Sequence, residues 1–428
     1  MTSLDSAHEA PASGTRDVPP SGRTRVYLHI GEPKTGTTFL QQAMWANRSR
    51  LARHGIVLPG QVHRDHFRAS RDLRDIKKLP SDPADPWVGD WDVLTGEALS
   101  APHAAVISDE LLAACTAPQV ERGARTLAAA DLHVVCTVRD FGSLLPAEWQ
   151  ETIKCRATMG WEDWLDGIIG LESAPDRTAR SLFWRMHDTL SALRMWSQYV
   201  APDHVHVIAL PRDRSGDALW VRFASVLGID PGELDLSGVR PNASLGLPEI
   251  EFLRRMNQSL PEDLPYWFYS EKIKGDLAHD VLSARPGQAR LVLPPDREAW
   301  AKEQAELVVA GVREAGYQVT GDLSELLPEP AARGYVAPAD IPADQMLDAA
   351  VRAAVTLTSR QFASRYPGTR SSQPWRLPPR EMLTRLEWKV LNGPRTRRLL
   401  HQNSNLAAVR RLRVAIWRIL NHPGRARP

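Results

Sequence analysis

Five short apolar runs, most of them followed by a helical pattern, constrain this chain more than any other feature. They are RVYLHI (25–30), GIVLP (55–59), HAAVIS (103–108), LHVVCTV (132–138) and HVHVIAL (204–210). Each is nearly continuous in apolar residues, as strands are when helices cover both faces of their sheet. Helical patterns fall between them, over 37–55, 109–115, 118–130, 143–154, 161–169, 188–199 and 218–227. Strand–helix alternation needs crossover connections, which make a sheet parallel. The expected fold is therefore α/β, a doubly wound parallel sheet. After Gly228 the pattern becomes amphipathic-helical, in LPEIEFLRRMNQSL and DREAWAKEQAELVVAGVREAGY. A Pro- and Ala-rich stretch follows, then a helical pattern over 344–365, a second Pro-rich stretch and a basic tail. The boundaries read from these shifts are 1–24 for a Ser/Pro/Gly/Ala-rich disordered leader and 25–327 for the α/β domain. Residues 328–380 read as a Pro-rich linker with a helix, and 381–428 as a basic helical extension.

At 428 residues and 43% hydrophobic content the chain can bury a large core. No window holds the roughly 18–20 unbroken apolar residues of a membrane span. The first residues have no apolar signal region, and Cys115, Cys136 and Cys155 are too few for a disulfide framework. A cytoplasmic protein is the expectation. The net charge of +2 is unevenly spread, because from Arg376 onward thirteen Lys and Arg face two Glu.

The turn after the first run reads Gly31-Glu-Pro-Lys34-Thr35-Gly36-Thr37-Thr38. A Gly-rich turn between a strand and a helix points successive backbone N–H groups at one place, and the helix N-terminus adds partial positive charge. Such a P-loop-like turn suits phosphate or sulfate. The ATP-binding pattern is G-x-x-x-x-G-K-[ST]. Here Thr37 holds the lysine position, and the lysine has moved to Lys34, ahead of the second glycine.

Lys34–Thr38 resembles the 5′-phosphosulfate loop of the sulfotransferases that use 3′-phosphoadenosine 5′-phosphosulfate (PAPS), a Lys-[Ser/Thr/Ala/Gly]-Gly-Thr-[Thr/Ser] core directly after the first strand. That family also carries an arginine at the end of a later strand that grips the 3′-phosphate. Arg139 in VVCTVRDFGSLLPAEWQE matches it in position. The serine eight residues further on in the family is Ala147 here, with Ser143 nearby but out of register. The resemblance runs from Arg25 to about Leu260 through GIVLPG, ISDELLA, PAEWQE and RPNASLG, and is to a bacterial branch. It implies PAPS as donor, held by Lys34, Thr35, Gly36, Thr37, Thr38, Arg139 and Ser143, with Arg240, Asn242 and Ser244 as further donors. It also implies sulfuryl transfer to an acceptor hydroxyl.

Transfer of this kind is in-line displacement, served by positioning and electrostatics, and it needs a proton acceptor at the hydroxyl. The family's base is a His in one branch and a Glu after the second strand in another. The corresponding place here, LPGQVHRDHF, offers His66 and His63, with His66 favoured because RDHFRAS begins a helical pattern. Glu110, after the third strand, is the second choice. No metal-ligand cluster is apparent, and none is expected. Trp149, Trp161, Trp164 and Trp184 fall where the family shapes its acceptor pocket, although their helical spacing favours core packing. The acceptor class stays open among carbohydrate, glycolipid and small hydroxylated metabolite.

In the tail, NLAAVRRLRVAIWRIL (405–420) puts Val409, Leu412, Ile416, Ile419 and Leu420 on one side of a helix and Arg410, Arg411, Arg413 and Arg418 on the other. A peripheral membrane-surface helix and a docking helix, packed on its own domain or on a second copy in a homo-oligomer, both fit. No nucleic-acid reading motif is present. Two other functions fit the same loop: an ATP-dependent kinase on this fold, and a non-catalytic relative that binds a nucleotide or anion.

Overall fold

The computed structural model describes residues 22–76, 88–170, 178–213, 217–239, 244–284, 289–329 and 334–365. Among these residues the strands are β1 (Arg25–Gly31), β2 (Ile56–Val57), β3 (Ala104–Ser108), β4 (Asp131–Val138), β5 (Val205–Ala209) and β6 (Gln318–Thr320). They form a six-stranded sheet in the order β2-β3-β1-β4-β5-β6, with every pairing parallel. The fold is the expected α/β architecture with helices on both faces. Five of the strands coincide with the apolar runs. The sixth left no such signal, because β6 lies at the sheet edge and exposes both Gln318 and Val319.

The apolar runs still alternate. Val26, Leu28 and Ile30 join one core with Val134, Cys136, Val207 and Ile107. Tyr27 faces the other side with Val135, Ile208 and Val106, against Leu40, Met44, Trp220 and Phe223. Leu28 and Ile30 are fully buried just before the Gly-rich turn. Each contributes about 1.5–3 kcal/mol of transfer free energy, which fixes where that turn starts.

The helical pattern expected over 37–55 is two helices, Thr37–Ala46 and Arg48–Arg53. Asn47 breaks it by folding its buried side chain back on the helix end and across to a distant segment. Its Nδ2 donates to Ala43 O at 2.9 Å and to Asp235 O at 2.8 Å, and its Oδ1 accepts from Asp235 N at 2.9 Å. The segment 109–115 winds as a 3-10 turn over Glu110–Ala114. Residues through Thr358 form one compact unit; of the second, from Ser359, only the end of the Ala343–Arg365 helix is described. Ile341, Met346 and Ala353 pack into the first unit's core, so that helix begins as part of the α/β domain. The leader through residue 21 and the basic tail lie outside the described residues. Among the described residues no helix is long and apolar enough to cross a membrane.

Candidate functional site

Strand β1 is central, with β3 on one side and β4 on the other. The chain leaves β1 for β2 on one side and leaves β3 for β4 on the other, and the turns after β1, β3 and β4 lie at the carboxyl ends of adjacent strands. Crevices at such a switch point are where open α/β sheets bind ligands.

Two glycines set the β1 turn. Gly31 has φ 105°, and a Cβ there would lie 2.8 Å from the Glu110 Cα, so its absence lets the β3 turn close on the loop. Gly36 has φ 88°, and a Cβ there would meet a Leu219 methyl at 2.3 Å. Gly36 is also the N-cap of the Thr37–Ala46 helix, which has neither a side-chain cap nor an acidic residue in its first turn. The first-turn N–H groups are thus left for an anion.

Of the three loop threonines, Thr35 is fully buried, and its hydroxyl meets the Glu32 carbonyl and the Thr137 hydroxyl. It therefore shapes the loop from inside, and only its amide remains for a ligand. Thr37 is buried and Thr38 half-buried.

Lys34 itself sits at φ 62°, with Nζ 2.6 Å from Glu151 Oε2. Arg139, at the end of β4, donates from Nη1 to Lys34 O at 2.9 Å and from Nε to Ser143 Oγ at 2.9 Å. Ser143 is in turn held by Asp140, the N-cap of the Phe141–Lys154 helix. Ser143, out of register with the family serine, is thus the hydroxyl that touches Arg139. Ala147 and Glu151 follow it at four-residue spacing along one helix face, which carries that face from Arg139 to Lys34.

Glu151 gathers three cations. Lys274 Nζ lies at 2.7 Å and Lys154 Nζ at 3.9 Å, in addition to Lys34. Burial pushes the Glu151 carboxyl up, but the charges of Lys34 and Lys274 outweigh it and hold the group well below the usual carboxylate range. Burial lowers Lys154. Three ammonium groups around one carboxylate leave a positive surplus beside the loop. None of these partners was singled out in the sequence. Glu151 ends the quoted arginine-motif stretch and Lys154 lies one turn past it, whereas Lys274 arrives from a distant wide-turned helix, Tyr269–His279. Cys115 and Cys136 are buried, whereas Cys155 is exposed and receives the Lys274 ammonium at 3.1 Å.

Glu151→Gln keeps the shape and removes the competing anion. Inorganic sulfate or phosphate is then expected to bind about 0.5–1 kcal/mol more tightly, roughly two- to fivefold, by calorimetry. Weaker binding would mean that Glu151 is needed to hold Lys34 in place.

The favoured base, His66, is corrected by its surroundings. It is 2% exposed, its Nδ1 accepts from Ser108 N at 3.1 Å, and its Nε2 lies 2.9 Å from Pro59 O. Both ring nitrogens serve the backbone, and burial pushes the imidazole down to about 4. His66 ties the β2 turn to β3. His63 is half-exposed and lies nearer the cleft: its Nε2 is 2.9 Å from Gln41 Oε1, and Gln41 Nε2 donates to Glu110 Oε2 at 3.1 Å. His63, Gln41 and Glu110 form one chain of polar groups beside Gly31. Asp109, next to Glu110, is buried, and burial followed by the Glu110 charge raises it to about 7. Arg240 and Asn242 lie outside the described residues, and Ser244 is exposed. Trp149, Trp161 and Trp164 are core residues, and Trp184 packs against that core.

No protein-family model matches the chain, and no curated protein matches it. Among solved structures, a sulfotransferase from Alicyclobacillus acidocaldarius is similar over 50% of this chain and 85% of that chain, with 15% identity and a TM-score of 0.30. A likeness at that level carries no argument about activity.

Proposed function

We propose that the chain is a PAPS-dependent sulfotransferase, moving a sulfuryl group to an acceptor hydroxyl by in-line displacement. What carries this reading is the join between two motifs far apart in sequence: Arg139 at the end of β4 donates to the backbone carbonyl of Lys34 in the β1 turn. One guanidinium and one ammonium are thereby set on a single Gly-rich turn. A nucleotide with one phosphate at the loop and another at its 3′ position would use both cations.

In this reading the amides of residues 35–38 and Lys34 hold the 5′-phosphosulfate, and Lys34 follows the charge onto the leaving phosphate oxygen. Arg139, oriented by Ser143, grips the 3′-phosphate. Glu110 takes the acceptor proton, with Gln41 and His63 fixing its carboxylate. The acceptor is a small-molecule, carbohydrate or glycolipid hydroxyl.

An ATP-dependent kinase would need the lysine after the second glycine, where Thr37 stands. The reading is tested by calorimetric titration with adenosine 3′,5′-bisphosphate against Mg·ADP, on the wild-type and Arg139→Ala proteins. The expected result is preference for the bisphosphate, lost by about 1.5–3 kcal/mol in the variant. Preference for Mg·ADP would favour the kinase, and binding of neither would favour the non-catalytic relative.

A further inference from the structure

At the other end of the sheet, histidines meet on neighbouring strands. Asp131-Leu-His133 opens β4, and His204-Val-His206 leads into β5. The parallel register sets Val134 beside Val205, so the two D-x-H and H-x-H segments run side by side. We infer that Asp131, His133 and His204 bind one divalent transition-metal ion of the zinc class.

One donor atom from each of the three residues lies within 4.8 Å of the others. Tetrahedral ligands at about 2.0–2.1 Å from zinc stand about 3.3–3.5 Å apart. The His133 Nε2 to Asp131 Oδ2 separation is 3.4 Å, and His204 Nδ1 to Asp131 Oδ1 is 3.6 Å. Both lie in or near that range, and both are long for the direct hydrogen bonds they would otherwise be.

The surroundings match what a metal site needs beyond its ligands. His133 Nδ1 lies 2.9 Å from His206 Nε2, so with its proton on Nδ1 the ring presents the Nε2 lone pair to the ion. His206 is then the outer partner that fixes the tautomer. The His204 side chain is 34% exposed, so an ion has a path in and water can take the fourth position. His133 and His204 stack with centroids 4.1 Å apart and planes 18° apart, so one ring must turn about its side-chain bonds for both lone pairs to meet at one ion. Arg25 Nε pairs at 3.1 Å with Asp131 Oδ2, the oxygen that also faces His133, while Oδ1 faces His204. Its charge opposes the ion and sets an upper limit on affinity.

This cluster is invisible along the chain, because only the strand register makes two such short segments adjacent. Asp131 starts the strand that Arg139 ends. At about 3.3 Å per residue the two ends lie roughly 25 Å apart, so this site does not depend on the donor reading.

The test uses untagged full-length protein, stripped with a chelator and titrated with ZnCl2, with Co2+ absorption as a second probe. The expected result is one ion at this cluster and visible Co2+ bands of a low-coordinate site. Asp131→Asn and His204→Ala should each weaken Zn2+ at least tenfold and abolish the bands. His206→Ala should weaken it by about 10–100-fold through the outer hydrogen bond alone. His54→Ala, at a histidine elsewhere, should change nothing. Asp131→Asn and His204→Ala alter partly exposed groups, and circular dichroism checks their folds. Zn2+ affinity and Co2+ bands unchanged in both variants, or no Zn2+ uptake by the wild type, would overturn the assignment.

Discussion

Lys34→Ala is expected to weaken adenosine 3′,5′-bisphosphate by one to two decades and to lower turnover by about 10²–10³-fold, whereas Glu110→Gln leaves that affinity within about twofold and lowers turnover by about 10²–10⁴-fold. The split follows from where the two groups stand. Lys34 belongs to the anion loop itself, with its carbonyl held by Arg139 and its ammonium in ion-pair contact with Glu151. A charged hydrogen bond to phosphate is worth about 1.5–3 kcal/mol, and more where charge moves onto the leaving oxygen. Alanine at φ 62° carries the same left-handed strain as lysine, so the variant isolates the ammonium. Glu110 instead reaches the cleft from the β3 turn and is paired to Gln41. Gln preserves that hydrogen-bonding shape but takes no proton. Calorimetry with the bisphosphate and single-turnover transfer assays separate the two roles. Wild-type affinity in Lys34→Ala would remove Lys34 from the donor site. Equal losses of affinity in both variants would remove Glu110 from the role of base.

How far the site could be read from sequence depended on whether its parts are local. The β1 turn is a contiguous stretch between a strand and a helix, so its glycines, Lys34 and threonines were legible as a unit. Arg139 was legible because it ends an apolar strand. His66 misled because a histidine starting a helical pattern looks the same whether it faces a cleft or a core. What distinguishes the two is that Ser108 N and Pro59 O claim both ring nitrogens, and that is a matter of packing between distant segments. Glu151 ends the quoted arginine-motif stretch, yet its meaning depends on Lys274, which no spacing rule connects to it. The same limit hid β6, whose edge position needs no apolar run, and the pairing of Asp131-Leu-His133 with His204-Val-His206.

Beneath the loop, a second network ties the anion turn to the pH of the solution. Glu32, the residue after Gly31, is 1% exposed; its amide donates to Thr137 O at 2.9 Å and its carboxylate accepts from the Thr189 hydroxyl. His187 lies between two carboxylates, with Nδ1 3.8 Å from Glu32 Oε2 and Nε2 3.5 Å from Glu148 Oε2. Burial by itself would push this imidazole down, but Glu148 and Glu32 outweigh it and raise it to about 9. A histidine raised from its ordinary 6.5 stabilises the fold fully below that pH, and the contribution is lost as pH rises through about 9. Buried neutral histidines act in the opposite direction. Burial lowers His29 to about 3 and His66 to about 4, so their contribution is full above 6.5 and is lost as pH falls toward those values. Urea unfolding is therefore expected to give greatest stability near neutrality, with a decline between pH 7 and 9 that His187 causes. His187→Ala should cost about 3–5 kcal/mol at pH 7, because two buried carboxylates lose their shared counter-charge. The same variant should lose the decline between pH 7 and 9 while keeping the acid limb set by His29 and His66. A wild-type profile flat from pH 7 to 9.5, or a variant within about 1 kcal/mol of wild type at pH 7, would show that His187 is neutral in the fold. The anion turn would then rest on its glycines and on Arg139 without an ion pair beneath it.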